Sequence, residues 1–279
     1  MDLEEAMNSN EQLKAQENFI DILVNLMDIV DPSGKNDYLR HESFHSQVSV
    51  FAELSNLVDS YINLKVLELG CGSGILSMTL AKMGFSVTTC DFFEETGQRL
   101  QNRLDQAGGN GAISFQQQNL EEDVYKLERE HYDVVIAVDV IEHVKNIKSI
   151  FNNTYNCLKP NGIFIVHTPN YARLNVRIKA FKNIFNPIWP ILFEHYVKDD
   201  PYLGHVREFT PRELVELYDF FSFEVVVQRF PQGMTFGRVI PYYNRLLQIP
   251  LSLSWQVQEI ARHFLPSLGP SQLVVGRKK

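Results

Sequence analysis

The stretch VLELGCGSGILS, Val66–Ser77, decides the fold. An apolar run ending at Leu69 passes through glycines at 70, 72 and 74 into residues with helical apolar spacing. A strand that turns this sharply into a helix needs glycine, which has no Cβ and lets a ligand approach the backbone closely. The helix that follows offers unpaired N–H groups and the positive end of its dipole. The stretch therefore reads as a ligand-cradling loop at the carboxyl end of a first strand. Its Gly-x-Gly-x-Gly spacing differs from the G-x-G-x-x-G of dinucleotide sites, which argues against an NAD-dependent dehydrogenase. Glu68, two residues before the first glycine, would oppose a pyrophosphate and suits a ligand with an amino group and a positive sulfonium.

Outward from this loop, short apolar runs alternate with helical patterns. After the helix ILSMTLAKMG come the strand FSVTTC, the helix TGQRLQNRLDQAGG and the strands AISFQQ, YDVVIAVDV and GIFIVHT, with a helix at about 146–158 before the turn KPNG. The helix TPRELVELYDFF and the strands SFEVVVQRF and SQLVVGRKK complete the set. Alternating strands and helices imply an α/β, doubly wound, mostly parallel sheet. Residues 1–60 read as a helical N-terminal extension, with ENFIDILVNLMDIVD and FHSQVSVFAELSNLVDSY as its helices and DPSG as a breaker between them. Residues 61–279 form the main domain, with helical cap insertions at about 171–204 and 232–268. The first insertion carries aromatic residues that suit a small-molecule pocket, among them Tyr171, Phe185, Trp189 and Tyr202. In the second, Leu253, Val257, Ile260 and Phe264 recur at helical spacing, a pattern for core packing that also admits peripheral membrane contact.

Composition narrows the function classes. No run of about 18 uncharged apolar residues occurs, so no transmembrane helix is expected. The acidic, polar start MDLEEAMNSNEQ does not resemble a secretory signal. The cysteines at 71, 90 and 157 have no paired spacing, which argues against a disulfide framework or zinc knuckle and for a reducing, cytoplasmic setting. A net charge of -8 opposes general nucleic-acid binding and leaves room for a small-molecule substrate. The oligomeric state is left open.

ELGCGSG, with the strand order around it, resembles the first motif of class I S-adenosylmethionine-dependent methyltransferases. The resemblance covers roughly residues 64–279 and implies a Rossmann-like, seven-stranded sheet with an antiparallel last strand. It also implies S-adenosyl-L-methionine as cofactor, with Glu68, Gly70, Cys71, Gly72 and Gly74 around its amino-acid part. Asp91, ending the second strand in TTCDFF, is placed to accept both ribose hydroxyls, and Phe92 to pack on adenine. Asn119, in QQQNLEEDV, stands where the family often has an aspartate for the exocyclic amine; its amide oxygen can accept the same bond. Leu120 would supply a backbone N–H and an apolar face.

The chemistry is expected at VIAVDVIEHV, since ligands of open α/β sheets sit beyond the carboxyl ends of the strands. Asp139 would lie beside both the cofactor and the transferred methyl group, and on a helical turn it shares a face with His143. DVIEHV resembles the branch holding ubiquinone-biosynthesis and natural-product O-methyltransferases, which implies a small hydroxyl acceptor with His143 as base. A later histidine, His205 in GHVREFTPREL, is similar to one in the small-RNA 3′-end methyltransferases, where carboxylates and histidines hold a divalent metal. The corresponding set here is Asp139, Glu142, His143 and His205, for Mg²⁺ or Mn²⁺. This chain departs from that pattern: its first carboxylate is Asp, and Val144 replaces a second histidine. HTPN, at 167–170, reads as a simple turn with His167 toward solvent, or alternatively as a strand end at which Asn170 helps position substrate. The alternatives are a metal-assisted RNA 2′-O-methyltransferase and a non-catalytic cofactor-binding scaffold protein.

Overall fold

A computed structural model describes residues 3–35, 43–58, 64–108, 112–173, 176–177, 204–231 and 266–279. Both expected cap insertions fall almost wholly outside the described residues. Helices α1 (Leu3–Val30) and α2 (Phe44–Leu57) precede β1 (Lys65–Leu69), α3 (Ile75–Lys82), β2 (Ser86–Asp91), α4 (Glu94–Gln106) and β3 (Ala112–Gln117). Then follow β4 (Tyr132–Val138), α5 (Ile147–Cys157), β5 (Leu158–Pro169), α6 (Pro211–Phe220), β6 (Phe223–Arg229) and β7 (Ser271–Lys278). The seven strands pair in the order β3-β2-β1-β4-β5-β7-β6. β7 runs antiparallel to both its neighbours and the other pairings are parallel, in agreement with what the family resemblance implies.

The central strands bury side chains on both faces, so their sequences are nearly continuous apolar runs. Val66, Val134, Ile136, Ile163, Ile165 and Val275 face α1, α2, α3 and α4. Leu67, Leu69, Val135, Phe164, Val166 and Val274 face α5 and α6. In α1 the apolar spacing of Phe19, Leu23, Leu26 and Met27 makes one buried stripe, and Phe19 stacks on Phe51 of α2 at 4.1 Å. The N-terminal extension is thus part of the core. No helix among the described residues is long and apolar enough to cross a membrane.

KPNG is not a free turn. Lys159–Gly162 lies inside β5, where the register against β4 slips between Tyr132 and Val134 and Asn161 takes φ 64°. Those residues bulge out opposite Asp133, which receives Lys159.

Tyr218 closes the second face. It is fully buried, and its hydroxyl lies 3.2 Å from the carbonyls of both Phe164 and Val274. Gly276 makes room for the ring: a Cβ there would stand 2.2 Å from Tyr218 Cδ1 and 3.0 Å from Phe223 Cβ. Gly276→Ala is therefore expected to cost about 1–3 kcal/mol through overpacking, read as a lower urea midpoint at unchanged slope.

Candidate active site

The glycine loop leaves β1 with φ of 67°, 50° and 76° at Gly70, Gly72 and Gly74, a left-handed run that side chains resist. Space is short as well: a Cβ on Gly70 would meet Val140 at 2.8 Å, and one on Gly74 would meet Leu100 at 2.6 Å. Neighbouring elements pin the loop. The Cys90 carbonyl accepts from Gly70 N–H at 2.9 Å and Cys71 N–H at 3.1 Å, and Arg103 of α4 donates to the Ser73 carbonyl. Asp91 Oδ2 accepts from Gly72 N–H at 3.0 Å and Oδ1 from Phe93 N–H at 3.3 Å. Cys71 is buried, and that burial pushes its thiol up, so it fills the loop as a small apolar group.

Glu68 lies beneath this loop, only 4% exposed, and accepts a hydrogen bond from the Ser77 hydroxyl of α3. Burial raises its carboxyl from 4.5 to about 7. Beyond β2 and β3 a cavity of about 260 Å³ is lined by Phe92, Gln117, Asn119, Glu122 and Lys126. Asn119 Oδ1 accepts from Glu121 N–H at 2.9 Å, which leaves the second lone pair of that oxygen for a ligand. Leu120 packs into the core of the α5–α6 face, so its expected apolar surface is turned away from the cavity.

At the end of β4, Asp139 has φ 53° and its N–H donates to the His167 carbonyl at 2.9 Å. This left-handed residue precedes a single 3₁₀ turn, Ile141–His143, so Asp139 and His143 do not share a helical face. The short Asp139 side chain instead reaches across to β5, where Oδ1 lies 2.8 Å from His167 Nδ1. Glu142 is fully buried; its Oε2 accepts from Thr168 Oγ1 at 2.9 Å, and Oε1 has no hydrogen-bond partner among the described residues. Its carbonyl accepts from the N–H groups of Val206 (2.8 Å) and Arg207 (3.1 Å), which draws the 204–208 segment against the turn. His143 Nδ1 lies 3.1 Å from the Gly204 carbonyl, and His205 Nδ1 lies 3.1 Å from Glu208 Oε1. The two rings sit edge to face at 4.9 Å. One ligand-capable atom each from Glu142, His143 and His205 falls within 4.8 Å of the others. Asp139, the fourth member of the expected metal set, stands outside that cluster.

The electrostatics follow from burial. Burial first, and then the Asp139 carboxylate, raise Glu142 well above the usual carboxylate range. Burial and the neighbouring His205 lower His143, which favours its neutral, electron-pair-bearing form. At Glu208 burial would raise the carboxyl, but hydrogen bonds from His205 and Arg173 prevail and hold it at about 2. His167 is 2% exposed, contrary to the expectation that it faces solvent. Its Nε2 is buried without a hydrogen-bond partner among the described residues, a cost of about 1–3 kcal/mol unless a ligand satisfies it. Asn170 is buried too; its amide donates to the Ser267 (2.8 Å) and Gly269 (2.9 Å) carbonyls and so clamps the chain entering β7.

A family model described as a methyltransferase domain matches residues 21–228, well over half of the chain. The chain belongs to this methyltransferase-domain family. The ubiquinone biosynthesis O-methyltransferase of Rickettsia conorii (strain ATCC VR-613 / Malish 7) is 36% identical over 124 residues, 44% of this chain and 40% of that protein. The protein of the same name from Rickettsia prowazekii (strain Madrid E) is 35% identical over 136 residues, 48% of this chain and 51% of the relative. The chain thus spans about half or less of the length of these curated relatives. Among solved structures, magnesium protoporphyrin IX methyltransferase from Synechocystis PCC 6803, with bound S-adenosylhomocysteine, aligns with TM-score 0.56 at 17% identity over 90% of this chain and 91% of that one. An S-adenosylmethionine-dependent methyltransferase from Mesorhizobium loti aligns with TM-score 0.52 at 16% identity, covering 82% and 97%. At such identities the structures speak for the fold.

Within this methyltransferase domain, the glycine loop, Asp91, Phe92 and Asn119 follow β1, β2 and β3 at the carboxyl edge, and Glu142 and His143 follow the adjacent β4 with His205 beside them. The partners that Ser77, Thr168, Arg173 and Glu208 find leave no mark in the sequence. Each is an ordinary polar residue whose partner lies at least nine positions away.

Proposed function

We propose that the protein is an S-adenosyl-L-methionine-dependent methyltransferase that methylates a hydroxyl of a small, largely apolar molecule. One observation carries this reading. The pinned glycine loop with Asp91 and the Glu142–His143–His205 cluster, with Glu142 buried, stand at the same carboxyl edge, beyond the neighbouring strands β1, β2 and β4 with His205 packed alongside. The residues fit the donor: Asp91 for the ribose hydroxyls, the cavity beside Phe92 for adenine, and Glu68 as the negative charge beneath the loop. When bound, the donor supplies an activated methyl group on a sulfonium. The chain's own part is to align acceptor and donor for in-line transfer, which can supply most of the rate gain. The similarity to the Rickettsia O-methyltransferases supports oxygen as the accepting atom. The net charge of -8 speaks against an RNA acceptor, and the three buried, free cysteines accord with a cytoplasmic setting.

A divalent cation is favoured by a specific observation, the convergence of three ligand-capable side chains with Glu142 Oε1 unpartnered. The Nδ1 contacts of His143 and His205 are the outer bonds that orient imidazole ligands. Mg²⁺ or Mn²⁺ there would supply Lewis acidity toward the acceptor oxygen and the positive charge that buried Glu142 lacks.

Calorimetry with S-adenosylhomocysteine and with NAD tests the donor, and binding of NAD alone would overturn the proposal. Transfer of a labelled methyl group to catechol or 4-nonylphenol tests the acceptor class; donor binding without transfer to either would favour the scaffold alternative. With EDTA the transfer rate is expected to fall at least tenfold and to return with Mn²⁺. A rate that EDTA leaves unchanged removes the cation and leaves His143 as a hydrogen-bond acceptor.

A further inference from the structure

The Glu142–His143–His205 cluster does not use the second imidazole–carboxylate pair at this edge, Asp139–His167. We infer that His167 is the proton acceptor for the transferred methyl group's nucleophile, with Asp139 as the residue that positions it. This rests on the hydroxyl-methylation reading above.

Several observations converge. His167 lies at the carboxyl end of β5, in register with Val138 at the end of β4, so it borders the crevice where ligands of such sheets bind. In the strand order β2-β1-β4-β5 it stands two strands from the glycine loop, about 10 Å at ordinary strand spacing. Asp139 meets it twice, through its backbone N–H on the His167 carbonyl (2.9 Å) and through its carboxylate on Nδ1 (2.8 Å). The carboxylate accepts the Nδ1 proton, which fixes the tautomer and leaves Nε2 as a lone-pair acceptor. That atom is buried and without a hydrogen-bond partner among the described residues, while the ring is 2% exposed. A buried acceptor so oriented matches a donor that arrives with the ligand, and a hydroxyl is such a donor. The left-handed backbone of Asp139 (φ 53°) is what swings its carboxylate off the β4 turn and onto β5. Retained strain of this kind is common where geometry serves a site.

The step balances. A lone pair of the acceptor oxygen forms the new C–O bond as the C–S bond of the donor breaks, with its electrons left on sulfur as a thioether. The O–H proton passes to His167 Nε2, and Asp139 stabilises the resulting imidazolium. His167 on β5, held by Asp139 at the end of β4, thus takes the proton, while a cation held by Glu142, His143 and His205 would supply the polarisation of the oxygen.

His167→Asn separates the two halves of the side chain's role, because the asparagine amide can still donate to Asp139 while no acceptor remains at the Nε2 position. With saturating S-adenosylmethionine and catechol or 4-nonylphenol, kcat is expected to fall about 10²–10⁴-fold. S-adenosylhomocysteine affinity is expected within threefold of the wild type. Asp139→Asn is the second variant, for the case in which His167→Asn does not fold. It is expected to lower kcat at least tenfold with similar retention of S-adenosylhomocysteine affinity. It should also shift the His167 ring from the Nδ1–H form toward a mixture of tautomers in two-bond ¹H–¹⁵N spectra, and the loss should fall on kcat with KM for the phenol within threefold, a split that a merely structural carboxylate would not give. Either folded variant keeping kcat within threefold of the wild type overturns the inference and leaves the parent reading intact. A wild-type protein that methylates neither phenol overturns the parent reading, and this inference with it.

Discussion

Asp91→Ala is expected to weaken S-adenosylhomocysteine binding about 10²–10⁴-fold. Asp91 ends β2 with one oxygen on Gly72 N–H at 3.0 Å and the other on Phe93 N–H at 3.3 Å. Each oxygen retains a lone pair for a ribose hydroxyl. Alanine removes one anchor of the glycine loop, leaving those from the Cys90 carbonyl and Arg103, and removes the acceptors of the ligand as well. A hydrogen bond to a charged group contributes about 1.5–3 kcal/mol, and two such losses give about 3–6 kcal/mol, with each 1.4 kcal/mol a factor of ten. Asp91→Asn keeps one side-chain carbonyl and should lie between the wild type and alanine. Calorimetry at fixed pH reads the effect directly. An alanine variant within threefold of the wild type would mean that Asp91 serves only the loop.

Glu68 makes stability and ligand binding depend on pH in opposite senses. Its carboxyl is raised from 4.5 to about 7 because burial disfavours the charged form. Between those values the folded protein holds a proton that the unfolded chain has released, so stability is lost as pH rises through the window. The full penalty is about 3 kcal/mol at about 1.4 kcal/mol per pH unit, of which about 2 kcal/mol falls between pH 5.5 and 8.5. Urea titrations of the wild type and Glu68→Gln at those two pH values should show the wild type losing that amount relative to the variant. A constant difference between the two proteins would remove the linkage. A bound ligand with an ammonium and a sulfonium favours the ionised form. Binding of S-adenosylmethionine near pH 6 should then release part of a proton, seen as heats that differ between buffers of different ionisation enthalpy.

The same carboxylate shows how much of the site could be read in one dimension. Glu68 was legible as a negative charge before the glycines, and its position beneath the loop agrees with that. Its bond to Ser77 was not legible, because the helix that brings the hydroxyl back is visible only as a period, not as a direction. Asp139 is the sharper case. Its spacing from His143 suggested a shared helical face, which needs a regular helix from 139 onward. The backbone breaks that premise at φ 53°, and a side chain one methylene shorter than glutamate finds His167 across the sheet. His167 in turn carried no local mark of burial, since a histidine after an apolar run fits a strand end and a turn equally well.

By itself the sequence determined the alternation of strands and helices and the position of the glycine loop. Those features depend on periodicity and on local backbone chemistry, which neighbouring residues report. Only the tertiary structure decided which imidazoles meet which carboxylates. The 204–208 segment, sixty residues beyond the β4 turn, is drawn to it by backbone bonds to Glu142, and Asp139 is turned away from the same turn toward β5. Such pairings follow from strand order and from single dihedral angles, and neither leaves a repeat in the chain for sequence reading to detect.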